Sequence, residues 1–195
     1  MPVKIAVIGA GVYGNIHLQV YKQLEHEGKV KLVCFAAKSQ ETVDKQQKAF
    51  GIKGYLDYRK MFKDEDIDAV SIVTPDHLHR IIAVESARAG KHILVEKPMD
   101  TTIMGCLEMI ETARANGVLL QVDFHKRYDP YLREVKRFVD ENQLGRIQYG
   151  YAHMEELISM PTEWISSWAE KTSPAWLLGI HMYDIIRWIS GSEVR

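Results

Sequence analysis

An α/β fold with a parallel sheet, beginning with an N-terminal Rossmann-type domain and running into the start of an α+β second domain, is predicted by three features. Short runs rich in Val, Ile and Leu alternate with helical patterns over the first two-thirds of the chain, the signature of strands joined by crossover helices. The runs are apolar throughout, as strands covered on both faces must be. Gly28, Gly51, Gly90 and Gly117 each stand just past a helical stretch, where a helix ends on a residue that tolerates positive φ.

Taken in order, the first strand is Val3–Ile8, and it flows directly into Gly9-Ala10-Gly11-Val12-Tyr13-Gly14. A helix is expected over 12–26, a second strand over Val30–Ala36 and a second helix over 40–49. A third strand over 69–74 precedes a helix over 77–89. His92–Glu96 follows as a strand, then a helix over 100–115 and a strand over 118–122. The pattern changes after Phe124, so the dinucleotide-binding domain is placed at 1–123 and the partial second domain at 124–195. Within the latter, 129–141 reads as an amphipathic helix, 147–153 as an alternating strand and 176–189 as a helix with a thick apolar face. Trp164, Trp168 and Trp176 are expected to anchor its core. A lone strand needs neighbours on its edges, so the chain reads as part of a longer one.

The glycine turn carries the first chemical reading. Gly9-x-Gly11-x-x-Gly14 follows a strand and opens a helix, the context that turns a weak pattern into a specific one. Gly9 permits the tight turn, Gly11 lets the backbone approach a pyrophosphate and Gly14 lets helix pack on strand. The backbone N–H groups at Val12 and Tyr13 then point toward the anion at the positive end of the helix dipole. About twenty residues on, an NAD site places a carboxylate on the ribose hydroxyls. Here the strand ends Ala36-Ala37-Lys38-Ser39. Lys38 and Ser39 suit a 2′-phosphate, so NADP is the expected cofactor. NAD is the alternative if Lys38 is merely solvated and Glu41 turns back to the ribose.

Composition narrows the classes. The chain of 195 residues is 46% hydrophobic and 26% charged, with a formal net charge of -1, ordinary for a globular protein and without long-range attraction for nucleic acid or anionic lipid. Cys34 and Cys106 are far apart and in no metal-binding spacing, so neither a disulfide framework nor a metal is expected. Nothing reads as a membrane span or a signal peptide. A cytoplasmic setting is expected.

Two further motifs lie at carboxyl ends of strands: Thr74-Pro75-Asp76-His77-Leu78-His79 and Glu96-Lys97-Pro98. Together with the glycine turn, Phe124-His125-Lys126-Arg127-Tyr128-Asp129-Pro130 and Gly179-Ile180-His181-Met182-Tyr183-Asp184, they resemble the glucose-fructose oxidoreductase / inositol dehydrogenase (Gfo/Idh/MocA) family over essentially the whole chain. Members are roughly twice as long. The resemblance implies an NAD(P)-dependent oxidoreductase acting on a small molecule (a sugar, a polyol or a related carbonyl compound) and forming a homo-oligomer at full length. Hydride transfer at a carbinol needs a proton donor or acceptor at its oxygen. The resemblance gives that place to Lys97, and a second acid/base place to His181. It sets Thr74, Pro75, His79 and Glu96 beside the cofactor, with a capping role as the alternative for His79.

The sequence departs from the family in three places. Leu177 stands where sugar and polyol enzymes carry an Asp four residues before the histidine, and the glycine cluster upstream is replaced by Lys171-Thr172-Ser173-Pro174-Ala175-Trp176. His125 takes a place often filled by Asn; it and Arg127 are candidates to border the pocket, and Asp184 to orient His181, which on residues alone reads equally as a satisfied core histidine. His77 and His79, two apart, offer no metal geometry. A non-catalytic dinucleotide-binding regulator or scaffold is the alternative function.

Overall fold

The structure, a computed structural model, describes residues 1–193. The chain divides into two compact units, Met1–Val122 and Asp123–Arg195. The first holds strands β1 (Val3–Ile8), β2 (Val30–Ala36), β3 (Lys53–Tyr55), β4 (Ala69–Ile72) and β5 (His92–Glu96), with β6 (Leu120–Asp123) at the junction. Its helices are α1 (Val12–His26), α2 (Gln40–Phe50), α3 (Tyr58–Asp64), α4 (His79–Arg88) and α5 (Ile103–Ala115). The sheet order is β3-β2-β1-β4-β5-β6. Beyond β1 the chain winds to one side through β2 and β3, and then returns to the other through β4 and β5. The order therefore reverses between β1 and β4, where open α/β sheets bind ligands.

The unbroken apolar strands follow from burial on both faces. Successive β1 side chains alternate between faces, and Ile5 and Val7 join one buried cluster with Leu18 and Tyr21 of α1. Ala6 and Ile8 join the other, with Ile82, Ala83 and Ala87 of α4 and Met109 of α5. Cys34 of β2 lies in this second cluster. Burial and the nearby Glu65 push its thiol up to about 12, which keeps the unreactive protonated form. In native protein at pH 8, iodoacetamide is therefore expected to leave Cys34 unmodified, with labelling only in denaturant. Peptide mapping after alkylation checks this, and native labelling at the rate of a free thiol would contradict it.

Register sets the level of the turns. Ile8 of β1 pairs with Ile72 of β4, and Ile72 with Val95 of β5. Gly9, Val73 and Glu96 thus leave the sheet from one row, on neighbouring strands spaced about 4.8 Å apart.

The expected elements of this unit appear, with shorter strands at Ala69–Ile72 and Leu120–Asp123. β3 and α3 were not expected: three and seven residues long, they are too short to show a period. Among the described residues, no helix is long and apolar enough to cross a membrane.

The second unit contains α6 (Pro130–Asp140) and α7 (Ile180–Ser190). Asp129 caps α6 by accepting from the Tyr131 and Leu132 N–H groups, with Pro130 in the first turn, where a missing N–H costs nothing. The strand expected over 147–153 is absent. Those residues carry no ladder, and alternation alone cannot hold a strand without a partner edge. The helix expected over 176–189 starts instead as a π-helical turn, Ala175–Gly179, and becomes α-helical at Ile180. Gly179 weakens the helix there by about 1 kcal/mol relative to Ala. Of the tryptophans expected to anchor a core, Trp164 is 60% exposed and Trp168 and Trp176 are half-buried; the buried residues among 123–193 are His181 and Asp184.

Candidate functional site

The three glycines of the first turn are required for different reasons. Gly9 has φ +97°, and a Cβ there would lie 2.3 Å from the Val73 carbonyl oxygen across the switch point. A Cβ on Gly14 would lie 1.8 Å from the Gly9 carbonyl oxygen, so Gly14 permits α1 to start against the turn. Gly11 has an ordinary φ of -72°, and a Cβ on it would meet no protein atom within 4 Å. The fold has no need of a glycine there, and the space beside it is open.

The same place attracts an anion. Side chains cap α2 (Ser39), α3 (Asp57) and α5 (Thr102). α1, like α4 and α7, has no such cap and no acidic residue in its first turn. Val12 opens this helix, and the first N–H groups of a helix have no preceding turn to bond. Across the switch point the Thr74 hydroxyl is buried without a hydrogen-bond partner. An open glycine, an uncapped helix start and an unsatisfied hydroxyl fit a bound dinucleotide. The turn itself is anchored by the Gly9 N–H on the Ala36 carbonyl (2.9 Å) and by buried Gln46, whose amide donates to the Ala10 carbonyl (3.1 Å).

At the end of β2, Lys38 and Ser39 are both exposed. The Ser39 hydroxyl accepts from the Thr42 N–H and lies 2.9 Å from the Thr42 hydroxyl; it caps α2. Lys38 presents the cation at this edge.

The Thr74-Pro75 and Lys97-Pro98 turns are joined by His79, which is 1% exposed. Its Nδ1 lies 2.7 Å from the Pro98 carbonyl oxygen and its Nε2 2.8 Å from that of Thr74. Each ring nitrogen faces a backbone carbonyl, and the ring caps no helix N–H. His77, two residues before, instead lines a surface pocket with Arg80, Asp100 and Thr102.

Glu96 is buried, and Lys97 half-buried after it, with a cis peptide to Pro98. Glu96 Oε2 accepts the Lys97 backbone N–H (3.1 Å), and Oε1 lies 3.2 Å from His17 Nε2. His17 and Gln46 were missed in the sequence. His17 lies three residues past Gly14, on the helix face that buries Gly14, Leu18 and Tyr21; a polar residue on a core-facing stripe was the available signal.

In the second unit, a tight turn at His125–Tyr128 packs against α7. Arg127 grips Asp184 with two nitrogens, Nε donating to Oδ2 at 2.8 Å, and that hydrogen-bonded carboxylate raises the guanidinium's already high pKa. Both oxygens of Asp184, the residue expected to orient His181, accept from Arg127. The two charges select each other because a planar fork matches a carboxylate. His181 is 4% exposed and lies edge-to-face with His125, ring centroids 5.0 Å apart.

Comparison with known proteins gives concordant matches. A family model described as an oxidoreductase family with an NAD-binding Rossmann fold matches residues 3–124. Inositol 2-dehydrogenase 2 of Saccharopolyspora erythraea is 30% identical over 100% of this chain and 56% of its own length. The scyllo-inositol 2-dehydrogenase (NAD(+)) of Bacillus subtilis is 30% identical over 98% of this chain and 55% of its own. The crystal structure of myo-inositol 2-dehydrogenase from Lactobacillus plantarum superposes with a TM-score of 0.85 at 27% identity, covering 98% of this chain and 57% of that one. The chain thus spans about half the length of these relatives.

Proposed function

The chain belongs to the Gfo/Idh/MocA oxidoreductase family with its NAD-binding Rossmann fold, and from that premise we propose that it serves hydride transfer between a nicotinamide dinucleotide and a sugar, polyol or related carbonyl compound. The observation that carries this reading is the shared row of turns. The open Gly11 turn, the Thr74 hydroxyl and Lys97 leave adjacent strands at one sheet edge, so the residues that would hold a dinucleotide and the residue that would move a proton are set by the same register.

When bound, the nicotinamide supplies or takes up the hydride. The chain's residues do the remainder. Val12 and Tyr13 N–H groups hold the pyrophosphate, and Gly11 leaves room for it. Thr74 offers its hydroxyl. Lys97 gives a proton to the substrate oxygen in the reducing direction, and takes it back in the oxidising direction. His181 is assigned the second acid/base place on the family resemblance, and its burial beside His125 supports a fixed ring. Inositols are the first substrates to try, since the relatives' names specify them. Two cysteines left as thiols support a reducing, cytoplasmic setting.

At the adenosine end we assign NADP. Lys38 is exposed beside the start of α2, and β2 ends without a carboxylate; one relative, by its name, uses NAD(+) instead. KM for NADPH is expected to be at least about tenfold below that for NADH, and Lys38→Ala to remove most of the difference, as expected for one charge-assisted contact. Steady-state kinetics with both cofactors decides, and a tenfold preference for NADH reverses the assignment. Leu177, where an acid is expected, favours the second reading, a dinucleotide-binding regulator. Tight dinucleotide binding without turnover on any sugar, polyol or keto-sugar would establish that reading.

A further inference from the structure

We propose that His17 is a positioning residue for Lys97, acting through Glu96; the inference rests on the reading of Lys97 as the proton-transfer residue. His17 stands on α1, the helix whose start would receive the pyrophosphate, and its side chain is 11% exposed. Its ring is flanked by those of Tyr13 and Tyr21, with centroids 6.2 and 6.3 Å away. Nδ1 lies 2.9 Å from the hydroxyl of Ser71, a fully buried residue of β4, and Nε2 lies 3.2 Å from Glu96 Oε1.

The chemistry orders these contacts. An ionised carboxylate only accepts, so the proton on Nε2 points to Glu96. Nδ1 can then accept from Ser71, whose hydroxyl serves in either sense. Which nitrogen donates is thus set by the partner on the other side of the ring. Glu96 is held with Oε2 on the Lys97 N–H at 3.1 Å. A buried carboxylate without such contacts would be costly and free to turn.

The array therefore runs from the middle of β4, through α1, to the end of β5, and it finishes on the backbone of Lys97. One residue further on, the Pro98 carbonyl is held by His79 at 2.7 Å. The lysine is braced on both sides: by His17 and Glu96 before its Cα, by His79 after it. Its ammonium is carried on a backbone fixed by three other elements, and a displacement of about 1 Å at a reacting group can cost on the order of 100-fold in rate. The helix that binds the dinucleotide also fixes the backbone under the proton-transfer residue.

The test uses the natural, full-length protein, with myo- and scyllo-inositol as substrates and both dinucleotides. Turnover, dinucleotide Kd by nicotinamide fluorescence, and Tm are measured for wild type, His17→Ala, His17→Gln, Ser71→Ala, Lys97→Ala and the double variant His17→Ala/Lys97→Ala. His17→Ala is expected to lower kcat about 10- to 100-fold with Kd within twofold. His17→Gln, whose amide donates toward Glu96 from the place of Nε2, is expected to restore most of that loss. In the Lys97→Ala background, His17→Ala is expected to have no further effect, as residues acting through one another show.

Wild-type kcat in His17→Ala overturns the proposal. So does an undiminished additional loss in the double variant, or a loss that tracks Kd. If His17→Ala fails to fold, His17→Gln and Ser71→Ala decide: wild-type kcat in Ser71→Ala, together with loss in His17→Gln proportional to Tm, also overturns it. Wild-type turnover in Lys97→Ala overturns the reading of Lys97 itself, an outcome distinct from any failure at His17.

Discussion

Lys97→Ala is expected to lower turnover by about 100- to 10,000-fold, the usual range for a positioned general acid or base, while dinucleotide Kd stays within about twofold. In the proposed reading, the ammonium exchanges the proton with the substrate oxygen. Its backbone is held by Glu96 before it and, through Pro98, by His79 after it. Removing the side chain leaves both hydrogen bonds in place, because both are to main-chain atoms. Tm should move little. A drop in kcat and kcat/KM together, with unchanged cofactor binding, is the signature of an interaction made in the transition state. Single-turnover measurement of dinucleotide reduction reads it directly, and wild-type turnover would remove Lys97 from the chemistry.

The second large effect separates two glycines three residues apart. Gly11→Ala is expected to leave Tm unchanged within experimental error, since the added methyl meets no protein atom and φ is ordinary. Dinucleotide affinity should fall by about tenfold or more, because the methyl occupies the approach of the pyrophosphate to the helix start. Gly14→Ala should do the reverse in order of cause. Its methyl would sit 1.8 Å from the Gly9 carbonyl oxygen, and overpacking against backbone typically costs about 1–3 kcal/mol or more. Thermal unfolding and dinucleotide titration of the two variants, side by side, check the contrast. Full affinity in Gly11→Ala would show that nothing binds against that turn.

Much of this was legible in the sequence because the parallel sheet writes itself plainly. Strands buried on both faces are continuous apolar runs, so β1, β2 and β5 are found with their limits, and the glycine turn follows from its place between β1 and α1. The second unit is harder to read, for a physical reason. The alternation over 147–153 is real, yet a strand exists by its hydrogen-bonded neighbours, and none is formed by the described residues. The tryptophans suggested a core, but Trp164 stays in solvent. Order there comes from directed polar contacts such as Arg127 on Asp184, which have no periodicity to detect. Contacts at long sequence separation explain the misses in the first unit as well. His17 meets Glu96 across 79 residues, and nothing local marks either as the other's partner.

The row formed by Ile8, Ile72 and Val95 also bears on how such a chain can diverge. Apolar residues of similar volume can replace one another in these strands and keep the same face. Losing or gaining one residue within a strand does something else: it moves the following turn by about 3.3 Å and turns every side chain beyond it to the opposite face. Like-sized substitutions in the strands therefore leave the turns where they are, whereas a residue lost or gained there displaces them. The sheet preserves the spacing of its three turns by the number of residues it holds, with little regard to which ones they are.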